Sequence, residues 1–258
     1  MEKVIPVLFI GHGSPMNAIE ENEFTESWRE ISEKIPKPKA ILAISAHYER
    51  EDSSVTSNEK PRTIHDFYGF PKELYDLKYD CSGSKELITE VKNLAQEVNL
   101  DSRWGIDHGV WCVLSKMYSD ADIPVAELSI NRKLSMQQHY DLARKLCKLR
   151  EEGILIFCTG NVVHNLMLAR MSETPYKWAT SFDEKVKKYV TARDDLKLVN
   201  YESLGEDALL SVNSAEHYIP LVYALGATDK KESVSFFCEK IVFASVSMRC
   251  ILFEAKNG

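Results

Sequence analysis

The chain has 258 residues, 44% of them apolar and 28% charged, which is the balance of an ordinary globular protein able to bury a sizeable core. Its net charge is -7 and its lysines and arginines are scattered without a basic stripe, so nucleic acid is excluded as the expected partner. The apolar run Val4 to Ile10 is interrupted by Pro6, falls far short of the ~20 residues of a membrane span, and lacks the small-residue cleavage pattern of a signal peptide.

In chain order, Val4–Ile10 reads as a buried strand followed by a Gly-His-Gly turn. Glu23–Ile35 follows as a helix with Phe24, Trp28, Ile31 and Ile35 at helical spacing, closed by Pro36 and Pro38. Ile41–Ser45 is a second buried strand. From Glu49 to Tyr79 the pattern predicts one long loop, polar and then aromatic, punctuated by Pro61, Gly69 and Pro71. Helices are expected at Ser84–Val98 and Asp107–Met117, a strand at Pro124–Ile130, a helix at Ser135–Glu152 and a strand at Ile154–Cys158. Ser181–Arg193 and Glu216–Leu225 read as further helices. Ser233–Phe237 and Phe243–Phe253 return to strand character, and Met248 to Phe253 is apolar enough for the middle of a sheet.

Strands alternating with amphipathic helices predict an α/β protein whose mostly parallel or mixed sheet is covered on both faces. No linker or repeat divides the chain, so residues 1–258 form one expected domain. Six cysteines without C-x-x-C spacing, mostly within apolar segments, read as reduced thiols of a cytoplasmic protein.

Four of the seven histidines follow strand-like runs or sit in compact motifs: His12, His47, His164 and His217. Residues just past the carboxyl ends of strands converge on one edge of an open α/β sheet, so these imidazoles are candidate ligands of one metal ion. Imidazole suits zinc, copper and iron. A carboxylate, Glu216 or Asp66, offers a further ligand. On a helix, however, neighbouring side chains point about 100° apart, which favours His217 over Glu216 as the ligand. His108, at an expected helix start, is the leading acid/base candidate and His164 its competitor. Phe67, Tyr68, Phe70 and Tyr218 suit an aromatic pocket wall, with His65 as a further substrate-binding candidate. His139 shares no strand-end position and reads as structural or exposed.

The ordered motifs GHGSPMNA, SAHYE, TIHDFYGFP, DHGVW, GNVVHN and AEHYIPL span almost the whole chain. Together they resemble the LigB superfamily of extradiol ring-cleaving dioxygenases, in its 4,5-DOPA dioxygenase extradiol branch. The resemblance implies a LigB-like fold and a non-haem Fe(II) enzyme, with zinc a plausible bound ion, that opens a catechol such as L-DOPA with O₂. By motif, His12, His47 and His217 correspond to metal ligands. His164 corresponds to a histidine at the metal that either ligates it or acts as the base. Better-studied relatives complete their iron site with a glutamate, where this chain offers His217 beside Glu216.

Two other classes remain open at this stage. A zinc hydrolase would use the same imidazoles to bring a bound water's pKa to about 7. A non-enzymatic MEMO-like binding protein would share the fold without the chemistry. The zwitterionic tail of DOPA calls for both a cation and an acceptor, and no residue of the sequence is assignable to either.

Overall fold

The computed structural model describes residues 4–255. Ten strands lie at β1 Val7–Gly11, β2 Ala40–Arg50, β3 Ser54–Thr56, β4 Asn99–Asp101, β5 Val125–Asn131, β6 Ile154–Gly160, β7 Ser233–Phe237, β8 Ile241–Val242, β9 Val246–Ser247 and β10 Cys250–Glu254. The α-helices are α1 Glu23–Lys34, α2 Lys72–Asp76, α3 Lys85–Leu94, α4 His108–Met117, α5 Met136–Leu146, α6 Lys177–Ala192, α7 Asp195–Val199, α8 Glu206–Ser211 and α9 Ile219–Gly226.

Eight strands form one mixed sheet in the order β4-β3-β5-β2-β6-β1-β10-β7, with β8 and β9 as a separate ladder. The four central strands β5, β2, β6 and β1 are mutually parallel, while β10 and β7 close one side antiparallel. Because side chains alternate across a strand, Val7 and Phe9 enter one core and Leu8 and Ile10 the other. Helices α3, α5, α6 and α9 cover the first face, and α1 and α4 the second. Both faces are dry, which is why the central strands read as continuous apolar runs. This is the single α/β domain with a helix-covered mixed sheet that the sequence predicts.

Local signals set several boundaries. Asn22 caps α1 and Ser135 caps α5, each reciprocated by the residue three positions on, and the Ser84 hydroxyl accepts from Leu87 N–H at the start of α3. Other expectations fail for tertiary reasons. The stretch from residue 49 to 79 is not one loop: β2 runs on to Arg50, β3 pairs with β5 through Val55 and Leu128, and α2 forms after Pro71. These short elements draw on partners remote in sequence, which periodicity does not register. The helix expected to reach Glu152 ends at Leu146 and continues as a 3₁₀ turn to Gly153, whose φ is 87°. The strand expected over 243–253 is instead β9 and β10, separated at Met248 and Arg249, and its first residues Phe243 (φ 50°) and Ala244 (φ 61°) are left-handed and lie in the turn from β8 to β9. Its last part, β10, lies between β1 and the edge strand β7, so it is second from the edge. No helix of the described residues is long and apolar enough to cross a membrane.

Candidate metal centre

The parallel neighbours β2, β6 and β1 deliver their carboxyl ends side by side, and the histidines arrive with them. His12 is the first residue after β1, and its backbone N–H bonds to Gly160 at the end of β6 (3.3 Å). His47 lies within β2, where the register against β5 shifts between Ile44 and Glu49. Such an irregularity re-aims side chains at a strand end. His164 follows β6 by four residues, and its backbone is pinned on both sides by bridges to Val212 and Val246. His217 sits in the turn before α9, and its carbonyl accepts from Asn161 N–H at 2.9 Å. A Cβ on Gly160 would come within 2.2 Å of that carbonyl, so glycine is what lets the turn reach the strand end. His108 opens α4.

These five imidazoles line one cavity of about 420 Å³. The ring centroids of His12, His47 and His217 form a near-equilateral triangle with sides of 5.1, 5.0 and 5.4 Å. His108 flanks His47 at 4.0 Å, and His164 stacks flat on His217 at 3.5 Å. All four histidines expected as ligands line this one cavity, their donor atoms shared between two neighbouring sets. Donor atoms of His12, His47 and His108 gather within 4.8 Å of one another, and those of His164, Glu216 and His217 do likewise.

Hydrogen bonding distinguishes the triangle. The Thr159 hydroxyl donates to the Gly109 carbonyl (2.8 Å), so it accepts from His12 Nδ1–H (3.0 Å). Glu216 Oε1 lies 3.0 Å from His217 Nδ1, and Asp66 Oδ2 lies 3.5 Å from His47 Nδ1. The acceptors at His12 and His217 place the proton on Nδ1 and leave the Nε2 lone pair free, and the carboxylate near His47 favours the same tautomer. His12 Nε2 and His47 Nε2 then face one another at 3.2 Å. Two neutral lone pairs repel at that separation, and a cation between them removes the repulsion. The donor set thus fits a divalent metal held by imidazole nitrogens.

Protonation favours the same reading. Burial, with the charges of the neighbouring imidazoles, holds His12 and His217 well below the ordinary histidine value. Burial also brings His47 to about 3 and His164 to about 4. All four are neutral near pH 7, the form that ligates metal. Burial pushes Asp66 upward, but hydrogen bonding from His108 and the neighbouring imidazoles outweigh it and hold the carboxyl below its ordinary value. Asp66 Oδ1 accepts from the His108 backbone N–H at 3.0 Å and lies 2.9 Å from His108 Nδ1, so one carboxylate orients both His47 and His108.

Phe67 and Phe70 line the cavity. Two other candidates for its wall do not. Tyr68 projects into solvent, 92% exposed. Tyr218 is buried in the core with its hydroxyl on the Leu198 carbonyl, because α9 begins at Ile219 and turns that ring inward. His65 binds the Leu77 carbonyl through Nε2 and packs by Trp111, behind Phe67 rather than on the wall. Glu216 and His217 are not on a helix, and in their turn Glu216 sits behind His217. His139 is buried against Tyr223. Sequence reasoning missed Thr159, Leu166, Phe243 and Val246, which look like ordinary strand or loop residues. It also missed Glu127, a fully buried carboxyl that accepts from the Asp107 backbone N–H and Trp104 Nε1. Its one signal was an acid inside the apolar run VAELSI.

Residues 6–248 match the LigB family, described as the catalytic LigB subunit of aromatic ring-opening dioxygenase. A relative from Escherichia coli strain K12, called 4,5-DOPA dioxygenase extradiol, is 45% identical over 252 residues, covering 95% of this chain and 93% of its own. A protein of the same name from Beta vulgaris is 38% identical over 237 residues, with 88% of each chain covered. The crystal structure of an uncharacterized E. coli K12 protein superimposes with a TM-score of 0.84 at 40% identity, covering 96% of this chain and 99% of that one. The chain belongs to the LigB family and is an extradiol ring-cleaving dioxygenase, an oxidoreductase. Family membership thereby sets aside the hydrolase and the non-enzymatic binding protein as its class.

Proposed function

We propose that this enzyme opens the ring of a catechol beside its diol, using O₂ and an Fe(II) ion held by His12, His47 and His217. The observation that carries the reading is the imidazole triangle, with an oxygen near each Nδ1 and His12 Nε2 facing His47 Nε2, in a cavity also lined by Phe67, Phe70 and Phe243. Bound Fe(II) supplies a Lewis-acid centre for the diol and a redox path to O₂, whereas zinc supplies only the former.

The chain's own groups do the remaining work. Phe67 and Phe70, edge to face at 5.3 Å, take the ring and exclude water. His108, whose ring lies 4.0 Å from that of His47 and whose backbone N–H is held by Asp66, is the group assigned to accept a diol proton and return it to the opened product. His164, stacked on His217, fixes that ligand's ring plane and stands second for the same proton. A cytoplasmic location completes the reading and suits the six free cysteines.

The test loads metal-free protein with Fe(II) and follows O₂ uptake and the yellow semialdehyde across a catechol panel. Turnover is expected with Fe(II) and none with zinc. Equal turnover with zinc, or turnover without O₂, would overturn it.

A further inference from the structure

Behind the imidazoles lie two acids that the proposed reaction leaves unused. Asp107 and Glu127 are both fully buried, and their carboxyl groups lie within hydrogen-bonding reach of one another. Neither has a lysine or arginine as an ion-pair partner among the described residues. Glu127 Oε1 accepts from the Asp107 backbone N–H (2.9 Å), and its Oε2 accepts from Trp104 Nε1 (3.0 Å). Asp107 Oδ1 accepts from the Ser45 hydroxyl (2.7 Å), whereas its Oδ2, equally buried, is short of a donor among the described residues.

Two buried carboxylates in contact, with no cation beside them, cannot both keep their charge, so the pair holds a proton. Burial raises Asp107 to about 6, and burial with the charge of Asp107 carries Glu127 well above the usual carboxyl range. Near pH 7 the proton therefore sits on Glu127, and the donor it makes is the one that Asp107 Oδ2 lacks.

The pair stands at the start of α4. An aspartate just before a helix ordinarily accepts from the N–H groups of the first turn. Asp107 makes no such bond: its side chain turns away to Ser45 and Glu127, and the His108 N–H goes to Asp66 instead. The Ser45 hydroxyl oxygen also accepts from the His47 N–H (3.2 Å), so one hydroxyl ties β2 to α4. The two elements are close here, since a Cβ on Gly109 would lie 2.9 Å from both His47 Cδ2 and Ser45 Oγ. The turn that carries His108 to the side of His47 is thus held by hydrogen bonds from β5 and β2.

We infer that Glu127 is a positioning residue of the ring-opening reaction: as a neutral acid it donates to Asp107 Oδ2 while accepting from the Asp107 N–H, and so fixes the turn from which His108 reaches the diol. That role rests on the ring-opening reading above, whereas the hydrogen bond between the two acids stands without it. Glutamine would serve in the same place, because it too offers a neutral donor and an acceptor. An apolar side chain offers neither and leaves Asp107 buried and a bond short.

The experiment compares Glu127→Leu and Glu127→Gln with the parent, each loaded with Fe(II) and given the best substrate of a catechol panel. Glu127→Leu should lose about tenfold to a hundredfold in kcat, with KM and bound metal within about twofold of the parent, and Glu127→Gln should regain most of that loss. Parental kcat in Glu127→Leu, or Glu127→Gln as slow as Glu127→Leu, would overturn the positioning role. A second measurement needs neither turnover nor a folded leucine variant. The infrared difference spectrum of zinc-loaded parent minus Glu127→Gln, near pH 7, should show the C=O stretch of a protonated carboxyl that moves on deuterium exchange. Absence of that band would mean that Glu127 is ionised, and would overturn the inference. If the parent opens no catechol although the band is present, the ring-opening reading fails and the positioning role with it, while the neutral Glu127 bound to Asp107 stands.

Discussion

Two buried clusters of ionisable groups lie in this fold, and they are built on opposite rules. Around Arg249, which is 1% exposed, Asp183, Glu184 and Glu239 all contact the guanidinium, and Asp183 also accepts from the Ser247 hydroxyl. Around His12, burial keeps the imidazoles neutral, their outer nitrogens are tied down, and their inner lone pairs are left facing one another. A cluster whose one cation is tied on every side to carboxylates holds β9 and β10 to α6. A cluster whose donors are unmatched waits for something from outside the chain. Burial of titratable groups alone does not mark a site; unpaired donors converging on a cavity do.

The sharpest way to break this contrast is to remove a donor from the unmatched cluster. His12→Ala, His47→Ala or His217→Ala should each abolish turnover and leave little bound metal by elemental analysis, while His139→Ala keeps its metal. Full metal content in all three would move the centre elsewhere. Next in size, His108→Phe should retain metal and lose ~10²–10⁴ in turnover, with one limb of the pH–rate profile flattened. Loss of metal in that variant would place His108 among the ligands.

The Arg249 cluster should respond in stability. Arg249→Met leaves the buried carboxylate of Asp183 without its cation and should cost about 3–5 kcal/mol in urea unfolding, with metal affinity per folded molecule unchanged. A variant as stable as the parent would show that the cluster is not what holds β10 and α6 together. The smallest effect is a pH dependence outside both clusters. Burial lowers His139 to about 4, and its Nε2 has no hydrogen-bond partner among the described residues. Between the ordinary value of 6.5 and about 4 the unfolded chain carries the extra proton, so stability falls as pH drops through that window and levels off below it. His139→Gln should remove on the order of 3 kcal/mol of this acid loss from metal-free protein. An identical acid slope in the variant would assign the loss to other groups.

Much of this was legible in the one-dimensional chain. The apolar runs of β1, β2, β5 and β6 are dense because both sheet faces are covered, so composition alone revealed the central strands and the α/β class. His12 and His47 were readable because they follow such runs directly, and strand direction then forces them to a common edge. Asn22 and Ser135 announced their helices through local hydrogen bonds that need no remote partner.

Tertiary structure alone decided the rest. The inward turn of Tyr218, the exposure of Tyr68 and the pairing of β3 with β5 depend on which distant surface each segment meets, and no local pattern encodes that. The same holds for roles within the site. His164 and His217 are both histidines near strand ends or turns, yet only His217 has a carboxylate at its Nδ1, and His164 lies flat against it. A sequence supplies imidazoles to an edge. The hydrogen bonds behind each ring, made by residues as far apart as Thr159 and His12, set which lone pair faces inward, and that choice exists only once the chain has folded.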